Sequence, residues 1–173
     1  LTPVSVYLRL RDHFSNTLLL ESSDYHANDN SFSYICFNPI ADIKIHENEL
    51  KETYPDGQTN ITTFDDSISI PNKIDNYIKH FETEKNNHKF INNGLFGYLS
   101  YDSVKLFESV EIARRSENTE IPELYYAVYQ NIIAISLFNH EAHIFSHNLN
   151  KKHNLNEIEA LLKNNSTSIY SFK

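Results

Sequence analysis

The residues with the most evident chemical potential form a short histidine series, His140-x-x-His143-x-x-x-His147. On a helix, i, i+3 and i+7 share a face, and three imidazoles on one face could hold zinc or iron. On a strand, His143 and His147 share a face while His140 turns away. The surrounding pattern is that of a hairpin, Glu141 is the one nearby carboxylate and no Cys or Asp joins the set. Surface histidines are therefore the favoured reading over a metal site.

A second group is Glu21-Ser22-Ser23-Asp24, placed directly after Leu18-Leu19-Leu20. A carboxylate at the end of an apolar strand is either solvent-facing or buried, and a buried one needs a positive partner. That partner could be Lys44, an Arg or the ammonium of a ligand. Asp102 could serve as a carboxylate catalyst, although capping the element after it is the simpler role. Arg114-Arg115 could clamp an anion or sit solvated in an acidic loop. Cys36 lies in an apolar run with no neighbouring His, which favours an inert core thiol over a nucleophile. No Ser/His/Asp or Cys/His set and no catalytic pair of carboxylates emerges, so the catalytic residue set is expected to be empty.

The elements that must position these groups follow from periodicity. Thr2-Pro3 opens a helix with Val4, Tyr7, Leu8 and Arg11 on its inner side. Residues 17–23 read as a buried strand, 31–37 as a second, Asn38-Pro39 as a turn and 40–46 as a third strand. Together these suggest an antiparallel meander. Residues 47–66 are polar, with Pro55-Asp56-Gly57 as the turn of a hairpin. Ile74, Tyr77, Ile78 and Phe81 mark an amphipathic helix, and 94–101 reads as another strand. Asp102 then caps a short helix carrying Val104, Leu106 and Phe107. Residues 124–138 are rich in Tyr, Val and Ile and read as a long strand, returning through 142–147. Asn154 caps a last helix bearing Leu155, Ile158, Leu161 and Leu162. The sum is an α+β fold of antiparallel β-sheets, sandwich-like, with three to four packed helices.

Composition narrows the classes further. The chain has 173 residues, one Cys, three Gly, eleven Tyr and eleven Phe, and a formal charge of −8. An acidic balance argues against general nucleic-acid binding and against docking on an anionic membrane. Three glycines cannot build the usual phosphate-cradling loops. A single Cys excludes an internal disulfide and suits a reduced, cytoplasmic compartment. The start at Leu1 and the polar stretch Asn164-Asn165-Ser166-Thr167-Ser168 lead to the expectation that the chain is a piece of something longer.

Four motifs in order, Leu18-Leu19-Leu20-Glu21-Ser22, Ser31-Phe32-Ser33-Tyr34-Ile35, Gly94-Leu95-Phe96-Gly97-Tyr98-Leu99-Ser100-Tyr101-Asp102 and Ile121-Pro122-Glu123-Leu124, together resemble the N-terminal domain of anthranilate synthase component I. That family uses chorismate, and the resemblance covers nearly the whole chain. It implies a parent lyase that converts chorismate and ammonia to anthranilate and pyruvate at the entry to tryptophan synthesis. A glutamine amidotransferase subunit, component II, would supply the ammonia. The resemblance places Mg²⁺ and chorismate in a C-terminal catalytic domain, with no metal held by this chain. It divides the chain into a regulatory domain, 1–165, and the start of a linker, 166–173, and implies that the isolated chain is inactive. It further implies feedback inhibition by L-tryptophan bound at Leu20, Glu21, Ser22 and Ser33. Ser31 and Phe32 stand where many relatives carry Arg or Lys and then Tyr, so no cation for the inhibitor carboxylate is evident there, and Ser100 stands where relatives often have Gly or Ala. The alternatives are aminodeoxychorismate synthase component I of the folate pathway and a stand-alone amino-acid-binding regulatory domain.

Overall fold

The computed structural model describes residues 2–21, 31–65, 68–82, 87–110, 120–148 and 154–163. Helix α1 (Pro3–Leu10) is followed by β1 (Leu18–Leu20), β2 (Phe32–His46), β3 (Glu49–Thr53), β4 (Thr59–Thr63), α2 (Ile70–Ile78) and β5 (Phe96–Leu99). A 3-10 helix (Tyr101–Leu106), β6 (Leu124–Ser136), β7 (Ala142–Ser146) and α3 (Leu155–Lys163) complete the order. The seven strands form one sheet in the order β4-β3-β2-β6-β5, with β1 beside β2 and β7 beside β6. Every strand pair with a defined register is antiparallel. The antiparallel α+β architecture read from the sequence is thus the one that forms. The expectations for the linker and for Arg114-Arg115 concern residues outside those described.

One expectation about the strands is corrected. Asn38-Pro39 is no turn: β2 runs through it for 15 residues, with Asn38 at φ 56°. Asn adopts the left-handed region at lower cost than most residues, and Pro39 has no N–H to leave unpaired at the distortion. The Asn38 N–H donates to the Ser15 carbonyl at 3.2 Å. A local signal that usually reverses a chain here only bends a strand.

The chain divides into two compact units. The first comprises Leu1–Pro39, Asn87–Asn93 and Tyr129–Lys173. Its core gathers Val6, Leu10 and Phe14 with Ile35, Phe37, Ile133, Ile135 and Ile158. Thr2 caps α1 as expected, its hydroxyl accepting from the Ser5 N–H in a capping box. The buried stripe of α1 is Val6 and Leu10, however, while Val4 is 44% exposed and Arg11 is exposed. The sheet face dictates which stripe is covered, and Phe14 continues that stripe beyond the helix. Arg9, which the sequence reading passed over, donates to the Leu162 carbonyl at 2.6 Å, which supplies a partner to the last turn of α3. The Asn154 side-chain oxygen makes no capping bond; its carbonyl accepts from Ile158 N–H instead.

The second unit comprises Ile40–Asn86 and Gly94–Val128. Ala41, Ile43, Ile45 and Leu50 meet Ile70, Tyr77 and Leu124 in its core. Ile78, expected inside, is 45% exposed; the inner stripe of α2 is Ile70, Ile74 and Tyr77, with Phe81 just beyond the helix. The Tyr77 hydroxyl donates to the Thr53 carbonyl at 2.6 Å, and burial pushes its pKa up. Pro55-Asp56-Gly57 makes the expected hairpin turn, with Gly57 at φ 85°. The two motifs 94–102 and 121–124 meet where β5 joins β6. The Ser100 N–H donates to the Glu123 carbonyl at 2.8 Å. The Glu123 carboxylate accepts from Lys105 Nζ at 2.9 Å and from the Glu47 N–H at 2.8 Å. Asp102 lies in the first turn of the 3-10 helix, and Ser100 occupies the N-cap position assigned to Asp102 from the sequence.

Gly97 sits on β5 opposite Tyr126, and a Cβ there would stand 1.9 Å from the Tyr125 carbonyl oxygen. The obstacle is backbone, so it can yield only if the strands separate. Gly97→Ala is expected to destabilise the chain by more than about 2 kcal/mol, measured as a lowered midpoint in urea unfolding. Gly57→Ala, which has open space around it but a strained φ, should cost less. Equal midpoints for wild type and Gly97→Ala would disprove the tight strand contact.

Candidate functional site

Strand β1 pairs with β2 so that Leu18 faces Cys36, Leu19 faces Ile35 and Leu20 faces Tyr34. Leu20 is half-buried and shares a sheet face with Tyr34. Glu21 follows the strand end and is exposed. The pairing ends at Leu20, one residue before Glu21. Ser33 is fully buried, and its hydroxyl makes no hydrogen bond among the described residues. Ser22 lies outside the described residues. The structure thus leaves Glu21 exposed beyond the strand end and Ser33 buried, and Leu20 lies on the sheet face opposite that of Ser33. A buried hydroxyl without a partner is costly, by about 1–3 kcal/mol.

The other face of this part of the sheet carries an aromatic layer that the sequence reading did not assemble. Residues 87–93 lie along it. Phe90 stacks with two imidazoles, 5.0 Å from His88 at 17° and 4.8 Å from His143 at 28°. Phe32 and Phe145 lie 5.4 and 5.5 Å from the same ring. The Tyr34 hydroxyl accepts the Ile91 N–H at 3.2 Å. The period-2 rule could have grouped His143 with Phe145 on β7, and Phe32 with Tyr34 on β2. The partner segment 87–93 has no regular period and gave no such signal.

The histidine series resolves into three different settings. His140 occupies the hairpin turn at φ 60°, His143 stacks on Phe90, and His147 follows β7 with its N–H bonded to the Gln130 carbonyl at 2.7 Å. Burial lowers the His147 pKa, partly offset by a hydrogen bond with the Asn92 backbone. Among the described residues no three His, Cys, Asp or Glu side chains are placed to hold a metal ion. Cys36 is buried, and burial pushes its thiol up to about 12, as expected of an inert core cysteine. No described helix is long and apolar enough to cross a membrane.

No protein-family model matches the chain. Anthranilate synthase component 1 of Lactococcus lactis subsp. lactis (strain IL1403) is 27% identical to it over 145 residues, covering 82% of this chain and 28% of that protein. The crystal structure of anthranilate synthase component I from Streptococcus pneumoniae TIGR4 matches 94% of this chain and 33% of that one, with a TM-score of 0.50 and 20% identity. The chain spans about a third or less of the length of these relatives. The resemblance read from the four motifs thus extends over most of the chain in sequence, and the structural match shows a shared fold.

Two outcomes follow from the buried titratable groups. Folding favours neutral His147, so its contribution to stability is complete above the unfolded pKa of about 6.5 and is lost as pH falls through the lowered folded value. The urea midpoint of the wild type should fall from pH 7 to pH 5, and His147→Gln should flatten that slope; an unaltered slope in the variant would remove His147 from the account. Cys36 should resist iodoacetamide at pH 8 in the folded chain and react promptly in urea, read by mass spectrometry. Fast alkylation without denaturant would contradict its burial.

Proposed function

We propose that this chain is the N-terminal, regulatory part of an anthranilate synthase component I, and that L-tryptophan binds against Leu20, Glu21, Ser22 and Ser33. The sequence match over 82% of the chain is the observation that carries the reading. The exposed carboxylate of Glu21 and the buried Ser33 hydroxyl, which has no partner among the described residues, support the choice of residues. In the larger protein, chorismate and ammonia would be converted to anthranilate and pyruvate by a catalytic part C-terminal to this chain, in the cytoplasm. A glutamine amidotransferase, component II, would deliver the ammonia. Mg²⁺ would be required in that reading and would be held in the catalytic part.

The regulatory chemistry asked of this chain is modest. The Glu21 carboxylate, exposed at the strand end, receives the inhibitor ammonium in a charge-assisted hydrogen bond. Ser22 and Ser33 offer hydroxyls that donate or accept. The half-buried Leu20 contributes apolar surface for the indole. Leu20 and Ser33 lie on opposite sheet faces, so these groups would meet a ligand only around the strand end, and the catalytic part would supply the rest of the site. Tryptophan then inhibits to the extent that it binds the inactive arrangement of the two parts better than the active one.

The test is calorimetric titration of L-tryptophan into the full-length protein, with and without Glu21→Ala. Loss of a charged hydrogen bond of about 1.5–3 kcal/mol weakens binding roughly ten- to a hundredfold, while the rate of anthranilate formation without inhibitor stays unchanged. Identical isotherms for the two proteins would reject the site. Absence of fluorescent anthranilate from chorismate and ammonia would reject the enzyme.

A further inference from the structure

A cavity of about 440 Å³ opens in the first unit, between residues 87–90 and the tip of the β6–β7 hairpin. That size falls in the range of small-molecule sites. It draws on none of the four residues assigned to tryptophan. Three phenyl rings line it, those of Phe32, Phe90 and Phe138. Phe138 is 58% exposed and belongs to neither core cluster, so the fold has no evident use for its ring. Phe90 already stacks with His88 and His143, so the exposed Phe138 ring is the one offered to a flat ligand, with Phe32 beside it in the lining.

The polar component is a held carboxylate. Glu141 Oε2 accepts from Asn139 Nδ2 at 2.7 Å, and the Glu141 N–H donates to Asn139 Oδ1 at 3.3 Å. The same oxygen lies 3.8 Å from His143 Nε2, and the Glu141 side chain is 63% exposed. Asn139 fixes the direction of the carboxylate without neutralising it, and His143 does so only when protonated. A carboxylate in a cavity lined by phenyl rings, one of them the exposed Phe138, suits an organic ammonium, through a charge-assisted hydrogen bond and a cation–π contact. Lys89 and His88 also line the cavity and carry the opposite preference.

We propose that this cavity binds a small aromatic ammonium compound, with its ring between Phe32 and Phe138 and its ammonium on Glu141. Phenethylammonium is the cationic probe, and 3-phenylpropionate, of similar size, is the anionic one. Each is titrated into the 173-residue chain at pH 7.5 and followed by amide NMR shifts. Phenethylammonium should give saturable shifts at residues 138–143, with 3-phenylpropionate at least about fivefold weaker. Glu141→Gln should weaken the cation by roughly five- to tenfold, the range of an exposed charged hydrogen bond, and Phe138→Ala should weaken both probes. Glu21→Ala should change neither, which separates this site from the tryptophan reading. Equal or tighter binding of 3-phenylpropionate, or cation binding indifferent to Glu141→Gln, would overturn the proposal. So would an absence of saturable shifts in a chain whose spectrum shows it folded.

Discussion

Strand β2 has to serve two cores at once, and the rest of the structure follows from how it does so. Ile35 and Phe37 enter one cluster, and Ala41, Ile43 and Ile45 enter another. The left-handed Asn38 and the donor-free Pro39 separate the two sets. β1 pairs with the first half of the strand and β3 with the second. An unbroken ideal strand keeps one alternation of faces along its length. That alternation holds on both sides of Asn38, since the residues given to the two cores are all odd-numbered, and the residue at positive φ, its N–H taken by the Ser15 carbonyl, marks where one core gives way to the other.

The motifs that carry the family resemblance divide by what they do. Gly97 is there for clearance against the Tyr125 carbonyl. Glu123 holds Lys105 and the backbone N–H of Glu47, itself at φ 56°. These residues fasten β5, β6 and the β2–β3 turn to one another, so a likeness at these positions is a likeness of fold. Glu21 and Ser33 are different: an exposed carboxylate and a buried hydroxyl without a partner among the described residues do nothing evident for stability. Polar groups that the fold leaves unused are where a ligand has something to gain.

The aromatic layer around Phe90 shows how a segment without helix or strand can be held in place. One imidazole, two phenyl rings and one phenolic hydroxyl of the sheet fix residues 87–93 against it. Stacked and edge-on rings are worth about 0.5–1.5 kcal/mol each beyond their burial. His147 adds a contact through the backbone of Asn92. Three histidines that look like a ligand set in the sequence are therefore distributed among a turn, a ring stack and a strand end.

The amino-acid sequence by itself determined the elements whose signals are local. Thr2 and Pro3 start α1, Pro55-Asp56-Gly57 turns a hairpin, and the β-branched run 124–138 makes a long strand, because capping, φ preference and side-chain shape act within a few residues. It also placed Cys36 in the core and Glu21 at the end of an apolar strand. Tertiary structure alone decided the quantities set by distant partners. Which stripe of α1 is covered depends on the sheet beneath it, which is why Val6 and Leu10 are inside and Val4 is not. That Asn38-Pro39 bends a strand rather than reversing the chain depends on neighbours on both sides of β2. The stacking of Phe90 on His143 joins residues more than fifty positions apart, and ring stacking leaves no periodic trace in sequence. Local chemistry is written along the chain, whereas burial and pairing are properties of surfaces that exist only once it has folded.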